Sequence, residues 1–83
     1  MMKVVLVKTK TCPYCPSASR LWKGLQKKHD FEYKEIDALS NKGQQLILKH
    51  LLMAVPTTII DNRVAFVGIP DKKKAREILK NID

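Results

Sequence analysis

Two cysteines, Cys12 and Cys15, stand in the stretch Thr11-Cys12-Pro13-Tyr14-Cys15-Pro16, and the chain has no others. A secreted disulfide scaffold spreads four or more cysteines along its length, whereas two thiols separated by two residues suit redox or metal chemistry. The upstream run Val4-Val5-Leu6-Val7 reads as a strand, and the downstream residues Ala18, Leu21, Trp22 and Leu25 recur at the spacing of one helix face. The pair therefore sits where a strand hands over to a helix. Unpaired N–H groups and the macrodipole at a helix N-terminus favour negative charge, so the Cys12 thiol is expected to ionise below the ordinary cysteine range. A Cys12 thiolate would attack a substrate disulfide, and Cys15 would then attack the resulting mixed disulfide and close an intramolecular bond. Lys8 and Lys10 lie just upstream and add positive field. No second acid–base residue is identified, which leaves water or Lys10 for that role.

Other readings of the pair are a structural disulfide, two packed thiols or a zinc site. Zinc needs four ligands. Beyond the cysteines only His29 and His50 are available, both among lysines and expected at the surface. The motif calls for no metal and no other cofactor.

The elements that must position the pair follow from the rest of the chain. The spacing predicts a strand over 3–9, then a helix to about His29, with Pro13 at its first position and Pro16 also within its first turn. Phe31–Asp37 reads as a second strand, with Phe31 and Tyr33 pointing one way and Ile36 the other; Glu32, Lys34 and Glu35 mark it as an edge strand. A crossover helix between two strands makes them parallel. Ser40 is the N-cap expected for a second helix running to about Leu52, with Leu46, Ile47, Leu48, Leu51 and Leu52 as its apolar positions. Gly43 weakens that helix if exposed, by about 1 kcal/mol relative to Ala. Residues 53–56 form a loop. Thr57–Asp61 and Val64–Val67 make a hairpin about Asp61-Asn62, and Gly68 ends it. Asp71 caps a last helix whose buried stripe is Ala75, Ile78, Leu79 and Ile82. The order is βαβαββα, an α/β fold with a four-stranded mixed sheet and helices on both faces.

Eighty-three residues are expected to form one domain, residues 1–83, with a small core. No apolar run reaches the length of a signal-peptide core or a membrane span, so a cytoplasmic location and no membrane contact are expected. The formal net charge is +8, from sixteen Lys+Arg against eight Asp+Glu. It reads first as a solvated lysine-rich surface. Lys72-Lys73-Lys74 has no aromatic residues interleaved with it, which argues against a nucleic-acid partner.

The motif Cys-Pro-Tyr-Cys, followed about 40 residues later by Val55-Pro56 ahead of a strand, resembles the thioredoxin/glutaredoxin superfamily, and the likeness runs from the first strand to the last helix. The resemblance implies the thioredoxin fold and a protein-disulfide reductase. It also implies a cis Pro56 beside the cysteines and a substrate segment paired with the Val55 backbone. Tyr14, Val55, Pro56 and Gly68 would form the docking surface. Disulfide-bonded proteins would be the substrates of a monomer. Several features that accompany glutathione use are missing. Thr9 stands where a lysine is usual, Ala54 precedes Val55-Pro56 in place of threonine, and Gly68-Ile69-Pro70-Asp71-Lys72 replaces a Gly-Gly pair with two acids. Thioredoxin traits are missing too: Thr11 stands for tryptophan, and the first strand has no acid. Cys-Pro-x-Cys-Pro with Met-Ala-Val-Pro and Val-Gly-Ile-Pro is similar to the short glutaredoxin-like thioredoxins of archaea. That likeness implies a thioredoxin-reductase-type electron donor. A glutathione-dependent glutaredoxin is the alternative, and an iron–sulfur cluster carrier using Cys12 a further one.

Overall fold

The computed structural model describes residues 2–80. Seven elements follow one another: β1 (Met2–Lys8), α1 (Cys15–Gln26), β2 (Phe31–Asp37), α2 (Asn41–His50), β3 (Thr57–Ile60), β4 (Arg63–Val67) and α3 (Lys72–Lys80). The strands form one sheet in the order β2-β1-β3-β4. β1 runs parallel to β2, with Leu6 opposite Glu35 and Lys8 opposite Asp37. It runs antiparallel to β3, which pairs antiparallel with β4. This is the thioredoxin fold that the resemblance implies, and β2 is an edge strand as its charged residues suggest.

β1 is apolar on both faces because helices cover both. Met2 and Val4 join Trp22, Leu25, Phe31, Ile60, Ala75 and Leu79 in the larger core, beneath α1 and α3. Val7 and the half-buried Val5 face the other way, packing with Ala38, Ile59, Leu46 and Ile47 beneath α2. Trp22 is fully buried, and its indole N–H donates to Thr58 Oγ1 at 3.1 Å, which satisfies the polar atom that burial would otherwise orphan.

The caps match the sequence in two places and depart from it in one. Ser40 Oγ accepts from the Gly43 N–H at 3.0 Å, and Asp71 Oδ1 accepts from the Lys73 N–H at 2.9 Å. Pro13, expected as the first helical residue, lies ahead of α1. Tyr14 is the N-cap, and the second proline of the motif, Pro16, occupies the first turn. Its missing N–H costs nothing there, because the first-turn N–H groups have no partner inside the helix. α1 also ends three residues before His29.

Gly43 is buried, not exposed. A Cβ there would run into the Asp37 carbonyl and the Ala38 backbone. Its lack of a side chain lets α2 close onto the end of β2, and close approach outweighs the helix-propensity cost. Of the apolar positions expected on α2, Leu48 and the following Leu51 face solvent. The α3 stripe is seen as Ala75 and Leu79, with Ile78 half-buried; Ile82 lies outside the described residues. Among the described residues no helix is long and apolar enough to cross a membrane.

Candidate functional site

β1 delivers the chain to one end of the sheet, where the loop 9–14 turns back into α1. The Cys12 N–H donates to the Thr9 carbonyl at 3.4 Å within that turn. Cys15 is the first residue of α1. The Cα atoms of Cys12 and Cys15 are 5.4 Å apart, and their sulfurs form a disulfide. Cys12 keeps 8% of its surface exposed and Cys15 only 2%. The first turn of α1 has no acidic residue. The Cys15 and Ser17 N–H groups start it without intrahelical partners, so the helix end presents positive potential to the sulfurs.

β3 begins beside the end of β1, with Thr57 opposite Val7, and β4 ends there, with Val67 opposite Thr57. The sheet therefore brings Pro56, Gly68 and the cysteine loop to the same end. The Val55–Pro56 bond is cis, as the resemblance implies. The Gly68 N–H donates to the Pro56 carbonyl at 2.7 Å, and Gly68 takes a φ of 86°, in the left-handed region that favours glycine. Thr57 Oγ1 holds the Ala54 carbonyl at 2.6 Å, which fixes the loop entering the cis bond. Among the described residues the Val55 backbone makes no hydrogen bond. Tyr14 is 60% exposed and Met53 is 98% exposed, so neither packs in the core.

A cleft of about 340 Å³ opens beside the cysteines. It brings together Cys12, Cys15, Lys8 and Lys10 with four residues that the sequence did not single out: Ser19, Arg20, Lys23 and Glu35. Glu35 is the only acid among them. Lys8 Nζ lies 2.8 Å from its carboxylate, Lys23 Nζ 3.9 Å, and the Ser19 and Tyr33 hydroxyls donate to the same oxygen. Burial alone would raise the Glu35 pKa. The hydrogen bonds from Lys8, Ser19 and Tyr33 and the Lys8 charge outweigh it, and the carboxyl is held down at about 2. Burial and the hydrogen bond to Glu35 push the Tyr33 hydroxyl up, beyond its ordinary range. The cluster is thus a fixed anion and a fixed phenol, and the charge of Lys8 is engaged by Glu35.

A signal for Glu35 was present in the sequence. It lies at i+4 from Phe31 and i+2 from Tyr33, on the strand face that meets α1, where a lone carboxylate requires partners. His29 and His50, expected at the surface, are both half-buried. Among the described residues no three His, Cys, Asp or Glu side chains gather as a metal site would require.

The family description "Thioredoxin domain" matches residues 2–80 of the chain. A thioredoxin of Methanocaldococcus jannaschii is 31% identical over 81 residues, spanning 95% of this chain and 93% of that one. A probable thioredoxin of Archaeoglobus fulgidus is 24% identical over 82 residues, spanning 99% and 90%. Among solved structures, a thioredoxin-like protein from Clostridium perfringens superposes with a TM-score of 0.81 at 24% identity, over 98% of this chain and 70% of that one. A thioredoxin mutant from Halobacterium salinarum gives 0.78 at 18% identity, over 96% and 73%. With its fold, its cysteine pair and these relatives, the chain belongs to the thioredoxin-domain family of disulfide oxidoreductases.

Proposed function

We propose that this protein reduces protein disulfides with Cys12 as nucleophile and Cys15 as resolving thiol. The observation that carries the reading is the disulfide at the N-terminal end of α1, with the more exposed sulfur outside the helix and the more buried one at its first residue. The Cys12 thiolate attacks one sulfur of a substrate disulfide, and the other sulfur leaves as a thiolate and takes a proton. The Cys15 thiol loses its proton to water and attacks Cys12 in the mixed disulfide. The second substrate thiolate leaves, and two electrons have passed from the protein to the substrate. Substrate chain lies along Val55, whose backbone N–H and C=O are available to pair with it, and against Tyr14 and Gly68, with the buried Pro56 shaping the loop beneath. The sequence motif Cys-Pro-Tyr-Cys and the length of the chain give this thioredoxin-like activity a glutaredoxin-like frame, working as a cytoplasmic monomer.

The electron donor is a thioredoxin-reductase-type dithiol and not glutathione. Asp71 supports this: its carboxylate accepts from the Lys73 and Lys74 N–H groups and caps α3, so it is committed to the helix rather than to a bound peptide. The test is to oxidise the protein, add millimolar reduced glutathione or a strong dithiol, quench, and weigh the products. Opening of the Cys12–Cys15 bond by the dithiol with little opening by glutathione is expected. Rapid opening through a glutathione adduct would make the protein a glutaredoxin. A Cys15→Ser variant should accumulate a mixed disulfide on Cys12, and a variant that turns over without one would overturn the assigned roles.

A further inference from the structure

The cleft beside the cysteines is not the end of the cationic surface. A second cleft, of about 380 Å³, lies between α1 and α3 and is lined by Leu21, Gly24 and Leu25 below and by Arg20, Lys28, Lys72 and Arg76 around them. Arg20 lines both clefts, so the two lie side by side along α1. Two of the chain's three arginines stand in this track. Its single acid, Glu35, is already engaged by Lys8 and Lys23. Among the described residues, Lys10, Arg20, Lys28, Lys72 and Arg76 have no ion-pair partner. A further cleft, which reaches Val55, is different in kind: Ile47, Leu52, Met53, Ala54 and Val55 line it without a charge.

We propose that the track from Lys10 through Arg20 to Arg76 selects partners in which the reactive cysteine is flanked by acidic residues. This rests on the disulfide-exchange reading above and names the partner class for that site. Charge complementarity fixes the chemistry: a carboxylate answers the arginine forks and lysine ammoniums that have no ion-pair partner among the described residues. Spacing fixes the place. Arg20 is five residues beyond Cys15, about 7.5 Å along the helix axis, and the disulfide places the sulfur of the nucleophile Cys12 directly against that of Cys15. An extended partner chain covers that distance in about two residues, so the first carboxylate belongs two to three positions from the reacting cysteine. Further acids then reach the α1–α3 cleft. The apolar residues about Val55 take the other side of the partner's chain.

The experiment uses synthetic peptide disulfides with glutamate, serine or lysine at the second to fourth positions from the cysteine, with a strong dithiol as reductant. The ratio of kcat/KM for the glutamate peptide over the serine peptide is expected to be about fivefold at low salt and to shrink toward one as salt screens it. The lysine peptide should be the slowest. In Lys28→Glu and Arg76→Glu variants, each compared with itself on the serine peptide, that ratio should fall. Equal rates for the three peptides, with a small neutral disulfide still reduced at Cys12, would overturn the acidic-partner inference and leave the exchange reading standing. Failure to reduce any disulfide would instead overturn the exchange reading. Tight binding of a short oligonucleotide to the track, with no discrimination among the peptides, would make nucleic acid the occupant and overturn the inference as well.

Discussion

Glu35 is a carboxylate held largely out of solvent by Lys8, Ser19 and Tyr33. Its carboxyl is held at about 2 against an ordinary 4.5, so the folded protein gives up this proton more readily than the unfolded chain does. The stabilisation this brings is complete above about pH 4.5 and is lost as pH falls toward 2. A Glu35→Gln variant should therefore be less stable than the parent at pH 7, with the gap closing across that acid range. Urea unfolding at pH 7, 4 and 3 checks this, and a gap that stays constant would mean the carboxylate charge is not what the cluster uses. The cysteine pair was legible from the sequence because its meaning is local: two thiols, two residues between them, and a strand–helix junction. For Glu35 the strand alternation signals only a carboxylate in need of partners and not which ones, because Lys8 and Ser19 are 27 and 16 positions away and meet it only once the strands are in register.

At the level of elements, two glycines carry opposite expectations. In α1, a Cβ on Gly24 would meet nothing within 4 Å. Gly24→Ala should therefore raise stability by about 0.5–1 kcal/mol through helix propensity alone. In α2, Gly43→Ala should lower it by about 1–3 kcal/mol, because the helix must lift off the end of β2. Thermal melts of the two variants decide both. The periodicity of apolar residues locates each helix but is silent on how closely a helix approaches its neighbour. That is why Gly43 could be read only as a weak helix former. Periodicity also overstated α2, since Leu48 and Leu51 are apolar and exposed. Likewise, both prolines of the motif suit a first helical turn, and the structure keeps only Pro16 there, since the N-cap at Tyr14 leaves Pro13 ahead of the helix.

For the whole molecule, net charge is the dominant global term. A balance of +8 on 83 residues repels itself, and that repulsion is screened by salt. The pairs of Lys8 and Lys23 with Glu35 work in the other direction, but they share one carboxylate, which is largely shielded from solvent, and screening reaches it less. Raising sodium chloride from about 20 to about 200 mM should thus raise the melting temperature, and a fall would mean that ion pairs outweigh the net charge. The order of elements and the parallel crossover were readable from their alternation along the chain. The adjacency of the two cationic clefts was not, since it depends on α3 lying beside α1, a packing choice that no local pattern encodes.

Trp22 is the chain's only tryptophan, and its setting makes it an intrinsic optical reporter. From α1 it donates to Thr58 of β3, meets the Phe31 ring of β2 edge-on at 6.1 Å, and lies 6.0 Å from the Phe66 ring of β4. One fluorophore thus senses the junction of a helix with three strands. Its emission should be blue-shifted in the folded protein and move to the red when any of those elements departs. Unfolding, refolding and the effect of every variant above can then be followed in the unlabelled chain.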